Sequence, residues 1–308
     1  MTAPLGNLTL RQLRALTAVA KKRSVTAAAG QLHVTQPAVT LQLKTLQELV
    51  QLPLFQRTPA GMFPTQAGEA LVHLAERIEI ALADCTATLD VLKGLTGGRV
   101  SIGVVSTAKY FAPFAIAAFS KSYPGIDVRL SIGNRGDIIK ALADFTLDVA
   151  IIGRPPPELQ LDCVLIGDHP HVIIAPPGHI LAQETKLAVA DLGNEIFLNR
   201  EPGSGTRALM ERMFAEAGVT PRIGMEIASN ETIKQAVMAG LGVAFLSAHT
   251  VAAELADRRL ISLPVEGLPL VRSWFLARCA EKVLLPPAEA LVEFLGREAA
   301  QYLPKVPY

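Results

Sequence analysis

Cysteine is scarce in this chain of 308 residues. Cys85, Cys163 and Cys279 are widely separated, no C-x-x-C occurs, and the odd count argues against a disulfide framework. Three small buried thiols are the plain reading, with a redox pair between Cys163 and Cys279 as the alternative. Aromatic residues make up only 5% and charged residues 19% of a chain that is 50% hydrophobic, so it can build real cores and is not a disordered polymer. No uncharged run of about 18 apolar residues appears, which argues against a membrane-spanning helix. The opening "MTAPLGNLTLRQLRAL" has no basic head, apolar run or cleavage site of a signal peptide, so a cytoplasmic protein is expected. G-x-S-x-G, H-E-x-x-H, the phosphate-binding G-x-x-x-x-G-K-[ST] and a dinucleotide glycine fingerprint are all missing. Of six histidines only His169 and His171 are close, in "DHPH", which reads as a loop or strand end rather than a metal site. The expectation is a protein without catalytic residues, metal or cofactor.

Charge is present but unevenly spread. Residues 1–65 hold Arg11, Arg14, Lys21, Lys22, Arg23, Lys44 and Arg57 against Glu48 alone, a balance of +6, and the remainder balances to −5. A small basic head on a mildly acidic body suggests a polyanionic partner for the head. Three short helices are expected there. The first, "TLRQLRALTAVAKK", puts Leu10, Leu13, Leu16, Thr17 and Ala20 on one side, and Ser24 caps "VTAAAGQL". After the break "HV", Thr35 is expected to cap the third through its hydroxyl. Pro37 falls in the first turn, where a missing N–H costs little. Val39, Leu43 and Leu46 point inward, leaving Gln36, Thr40 and Lys44 on the other side. Amides, hydroxyls and a cation on the second helix of a helix–turn–helix suit base edges and phosphates in a major groove. An ordinary three-helix domain with a solvated face would show the same pattern.

"LPLFQRTPAGMFPT" (52–65) reads as a β-hairpin wing carrying Arg57 and Thr58, with Leu54 and Phe55 in the core. A long helix follows over 66–93, capped by Thr65. Its Leu71, Ala75, Ile78, Leu82, Cys85, Leu89 and Leu92 alternate four and three residues apart, a seam that needs a partner helix and favours a dimer over packing on the chain's own body. "GLTGG" (94–98) makes a hinge. From 99 onward strands and helices alternate, so an α/β region of about 200 residues is expected, with two sub-domains: 99–164 with 270–302, and 165–269. Crossovers between them are placed near 162–168 and 265–272.

Three strand ends run into helices through small or hydroxyl residues: Ser106-Thr107, Gly203-Ser204-Gly205-Thr206 and Ser229-Asn230. Free N–H groups at helix starts attract anions, and strand C-termini form the usual ligand crevice. Cations lie near these ends in sequence. The candidate effector-binding set is Ser106, Thr107, Lys109, Asn134, Arg135, Arg154, Arg200, Glu201, Ser204, Gly205, Thr206, Arg207 and Asn230.

"AAAGQLHVTQPAVTLQLKTLQ", "PLFQRTPAGMFPTQAGE" and "AGLGVAFLS" together resemble the LysR-type transcriptional regulators over essentially the whole chain. The resemblance implies a winged helix-turn-helix head, a dimerising linker helix and a two-sub-domain effector domain of the periplasmic-binding-protein type. It also implies a homotetramer built as a dimer of dimers, acting on double-stranded promoter DNA, with RNA polymerase as a further candidate partner. Carried over by position, Thr35, Gln36, Pro37, Ala38, Thr40, Leu41 and Lys44 form the DNA-facing set, with Arg57 and Thr58 in the wing. Many family members carry Arg where this chain has Leu41, so the operator sequence stays open. "STAKYFAP" and "FLNREPGSGTR" further resemble the branch that regulates Calvin-cycle operons. That implies a small anionic effector: a sugar phosphate, phosphoglycolate, phosphoenolpyruvate or NADPH. A regulator of another pathway, and a solute-binding receptor without DNA binding, are the alternatives.

Overall fold

The computed structural model describes residues 5–92 and 97–306. Its internal contacts divide the chain into two compact units, Met1–Thr86 and Ala87–Tyr308.

In the first unit, α1 (Leu10–Lys22) opens with a capping box. The Thr9 hydroxyl accepts from the Gln12 N–H at 3.3 Å, and the Gln12 side chain accepts from the Thr9 N–H at 2.8 Å. Leu13, Leu16 and Val19 are buried as their spacing requires. Leu10 is instead exposed at the helix's first position, beside Leu41 and Thr45 on a shallow surface groove. α2 (Val25–Leu32) is capped by Ser24, as expected, and α3 (Gln36–Val50) follows. Thr35 sits at the N-cap of α3, but its hydroxyl makes no capping bond. Pro37 explains the correction. It deletes one of the two N–H groups that a capping side chain can reach, and the other, on Ala38, bonds to the Thr35 carbonyl at 3.1 Å.

The wing is β1 (Phe55–Thr58) paired antiparallel with β2 (Gly61–Pro64). Gly61 has φ +120°, and a Cβ there would lie 2.7 Å from the Arg23 carbonyl oxygen. That same carbonyl accepts the Met62 N–H at 2.9 Å, so glycine lets the wing dock on the end of α1. α4 (Gln66–Leu92) starts where the Thr65 hydroxyl accepts from Gly68 N–H at 3.1 Å. The expected seam along α4 divides. Leu71 and Ala75 are buried, Leu71 in one cluster with Leu16, Leu46 and Leu54, whereas Leu82, Cys85 and Leu89 are exposed. The Leu92 side chain and hinge residues 94–96 lie outside the described residues.

The second unit runs β3 (Gly98–Val105), α5 (Ala112–Ser122), β4 (Ile126–Gly133), α6 (Arg135–Ala143), β5 (Val149–Ile152), β6 (Leu161–Ala175), β7 (Ile196–Arg200), α7 (Gly205–Glu216), β8 (Arg222–Ile227), α8 (Asn230–Met238), β9 (Ala244–Ser247), α9 (Ala252–Ala256), β10 (Ile261–Ser262), β11 (Leu270–Cys279) and α10 (Pro286–Glu298). One sheet has the order β10-β6-β11-β5-β3-β4, with β9 also on β6; β7 and β8 pair separately. One core lies around Val104, Phe111, Phe119 and Ile151, and two others flank the second lobe around Phe197 with Phe214, and around Ile233 with Leu246.

Residues 162–168 and 270–272, within the stretches where crossovers between the sub-domains were expected, are strand. β6 and β11 pair antiparallel from Leu161↔Cys279 to His171↔Leu270, so a continuous two-stranded ribbon passes between the lobes. Polar residues and Pro170 hid it, because the His171 end of the ribbon lines a cavity while its middle, with Ile166 and Trp274, is core. In "AGLGVAFLS", Gly242 has φ +155°, and a Cβ there would lie 2.3 Å from the Ile196 carbonyl oxygen, the acceptor of the Val243 N–H. Gly242→Ala is expected to lower stability by about 3 kcal/mol, read by urea unfolding of the full chain. A loss under about 0.5 kcal/mol would mean that the strand contact is not required. Among the described residues no helix is long and apolar enough to cross a membrane.

Candidate DNA-facing surface and anion cavity

The start of α3 presents Thr35, Gln36, Pro37, Thr40, Leu41 and Lys44 exposed, with Ala38 half-buried. In the wing, Arg57 is exposed and Thr58 half-buried. Gln36 is oriented, since its Oε1 accepts from the Thr26 hydroxyl at 3.1 Å, leaving its amide NH2 outward as a donor. The Thr40 hydroxyl donates back to the Gln36 carbonyl at 3.0 Å, so towards a ligand it offers lone pairs only. Lys44 has a loose ion pair with Glu48 at 3.8 Å, and Arg14 is committed to Glu79 on α4 at 2.5 Å. The cations free to meet a polyanion are therefore fewer than the count of +6 suggests.

In the second unit a cavity of about 630 Å³ opens between the lobes, within the range of small-molecule sites. The predicted residues Ser106, Thr107, Asn134, Arg135, Arg154, Arg200, Ser204, Gly205, Thr206 and Arg207 line it. Asn134 caps α6, its Oδ1 accepting from Asp137 N–H at 2.9 Å, and Ser204 caps α7, so two helix starts face the space. Arg135 donates to the Arg154 carbonyl at 3.3 Å. Sequence reasoning missed Arg272, Arg212, His169 and His171, which also line it. Arg135, Arg154 and Arg272 have no carboxylate partner among the described residues. Arg207 does, held by Glu211 at 2.8 Å and by Glu226.

Three predicted residues lie off the cavity. Lys109 turns to Glu231 at 3.8 Å, where the Tyr110 hydroxyl also donates. Burial, and then the Glu231 carboxylate, hold that phenol above its usual range. Glu201 grips Arg200 through two hydrogen bonds of 2.7 and 2.8 Å. Asn230 accepts from Arg200 and donates to the Ser106 carbonyl at 3.4 Å. Arg200, 2% exposed, also donates to the Ser106 hydroxyl at 3.0 Å, so these residues latch the lobes together rather than offering free donors. His169 and His171 sit inside β6, not in a loop.

A DNA-reading head joined to a two-lobed body with an anion-attracting cavity defines a ligand-responsive transcriptional regulator. The chain belongs to the LysR family: the bacterial regulatory helix-turn-helix family, lysR type, matches residues 10–69, and the LysR substrate binding domain matches residues 93–300. It is 53% identical to the HTH-type transcriptional regulator CbbR of Xanthobacter flavus over 97% of this chain and 90% of that one. It is 42% identical to the RuBisCO operon transcriptional regulator of Allochromatium vinosum, over 96% and 98%. Among solved structures it resembles the regulatory domain of Synechocystis CcmR in complex with 2-PG, at 34% identity, covering 68% of this chain and 99% of that one, TM-score 0.63. It also resembles full-length CbnR complexed with its target DNA, at 25% identity over 94% and 99%, TM-score 0.71. The fold class expected from the sequence, a winged helix-turn-helix joined to an α/β effector domain, is the family's own.

Proposed function

We propose that this chain regulates carbon-fixation genes, reading promoter DNA with α3 and the wing and sensing a small phosphorylated anion in the cavity between its lobes. One observation carries the sensing half. Three arginines without a carboxylate partner among the described residues converge with two helix starts on one cavity, an arrangement that is electrostatically poor unless an anion fills it. The relatives' regulation of RuBisCO operons and the 2-PG bound to CcmR favour a phosphoglycolate-like ligand over the sugar phosphates, phosphoenolpyruvate and NADPH of the same class.

The working division is a head at 1–65, a dimerising helix at 66–93, a hinge at 94–98 and an effector domain at 99–308. The exposed Leu82 and Leu89 on α4 support a partner helix, and the two heads of that pair would sit about one DNA turn apart, within a dimer of dimers. The chain would work where the promoter is, in the cytoplasm, with RNA polymerase as a neighbour on the DNA.

Mobility-shift titration with the DNA upstream of a carbon-fixation operon tests the reading half. Gln36→Ala should weaken binding by about 1–3 kcal/mol on its own site only, and Lys44→Ala should weaken it on every sequence. Affinity should fall steeply with salt. An unchanged operator affinity for Gln36→Ala would remove that residue from the reading surface.

A further inference from the structure

Leu41 stands apart from its neighbours on α3. At 57% exposed it is the most exposed large apolar side chain of the first unit among the described residues, ahead of Leu52 at 52% and Val34 at 48%. It follows the exposed Pro37 by four residues, so the two share one strip of the helix, beside the strip of Gln36, Thr40 and Lys44. Leu10, 38% exposed at the start of α1, borders the same shallow groove. The inward side of α3 is already packed through Val39 and Leu46, so the head's core does not account for Leu41.

The hydroxyl groups around Leu41 are spent within the head. That of Thr40 donates to the Gln36 carbonyl at 3.0 Å. That of Thr45 is shared between the Leu41 and Gln42 carbonyls at 3.0 and 3.1 Å, and accepts from the Gln12 amide at 3.1 Å. Neither has a proton left for a ligand, and what Leu41 and Pro37 add to this strip is hydrocarbon.

Two observations choose what covers it. Residues 1–65 balance to +6, which favours a polyanion over an apolar protein surface. Leu41 also lies between Gln36 and Lys44 along a helix that rises about 1.5 Å per residue, so a duplex that meets both of them covers the leucine as well. The major groove offers one apolar group, the C5-methyl of thymine. Against any other base edge the leucine would strip water from donors and acceptors and return nothing.

We propose that Leu41, flanked by Pro37, reads a thymine C5-methyl and is a specificity-determining residue of the head, so that the operator carries a T·A pair opposite it. This rests on the DNA-reading function above and names what one position of that surface selects. The Gln36 amide and the leucine then report different features of the site, one a hydrogen-bond acceptor and the other a methyl group.

Deoxyuridine pairs as thymidine does and lacks only the methyl, so it isolates the contact. The test is fluorescence anisotropy of the full chain on the promoter segment that it protects upstream of a carbon-fixation operon, prepared with thymine or with deoxyuridine. Wild type should bind the deoxyuridine duplex about fourfold more weakly for each contacted methyl, by the same factor at low and high salt, because a methyl contact releases no counterion. Leu41→Gln, an exposed change between good helix formers, should lose about that factor on thymine DNA and show little further loss on deoxyuridine DNA. Gln36→Ala should bind more weakly on both duplexes and keep the full thymine preference. Equal wild-type affinity for the two duplexes overturns the assignment, whatever the variants do. So does a Leu41→Gln chain that keeps the full thymine preference, since the methyl would then be read elsewhere. Unchanged affinity of Leu41→Gln for thymine DNA also overturns it and would turn the leucine towards a protein partner. If wild type protects no promoter segment, the DNA-reading function falls first, and this contact with it.

Discussion

Arg200→Met is expected to lower the stability of the effector unit by about 3–5 kcal/mol and to abolish its response to anions. The guanidinium is buried and fully engaged: a fork on Glu201, one bond to the Ser106 hydroxyl and one to Asn230. Methionine fills much of the volume but leaves the mostly buried Glu201 charge and the buried Asn230 amide without their partner, and uncompensated burial is what makes such a loss large. Arg200→Lys should lose somewhat less, because a single ammonium cannot make the fork. The measurement is urea unfolding of the full chain alongside calorimetry with 2-phosphoglycolate. A destabilisation below about 1 kcal/mol would show that the latch between Ser106 and Asn230 holds without its arginine.

Mild acid is the second large effect. Burial keeps His171 and His249 neutral in the folded protein, lowering each to about 4, and His169 lies low for the same reason. In the unfolded chain these rings take protons near pH 6.5. The folded state therefore binds fewer protons than the unfolded one between about pH 6.5 and pH 4, and stability falls as pH falls through that window. Each ring contributes at most about 1.4 kcal/mol per pH unit there, so the cluster is worth several kcal/mol by pH 4.5. Above pH 7 the three rings contribute no slope. Urea midpoints at pH 8, 7, 6 and 5 should be flat and then decline, and His249→Gln should shallow the decline. A midpoint unchanged between pH 7 and 5 would mean that the rings are hydrated and titrate normally.

Much of this was legible from residue patterns alone. Apolar spacing placed α1, α3 and α4 within a residue or two, since a helix that packs on one side must repeat every three to four residues. Glycine and hydroxyl residues at strand ends marked Ser106, Thr107 and the 203–206 turn, because helix starts leave N–H groups to satisfy. What escaped notice depended on tertiary register. Arg272 and His169 lie about a hundred residues apart and become neighbours only through the β6–β11 pairing. Lys109 and Arg207 lie near the strand ends in sequence, but Glu231 and Glu226, brought near by folding, and Glu211, one helical turn on, occupy them. Thr35 followed a sound capping rule that the proline two residues on defeats.

The ribbon joining the lobes has a mechanical consequence. Two hydrogen-bonded strands resist being pulled lengthwise but yield to torsion, and a bulge between Trp274 and Phe275 interrupts the ladder of this pair. Occupancy of the cavity at its His171 end would therefore be transmitted as a small rotation of one lobe about the strand axis, not as the gaping of a clam shell.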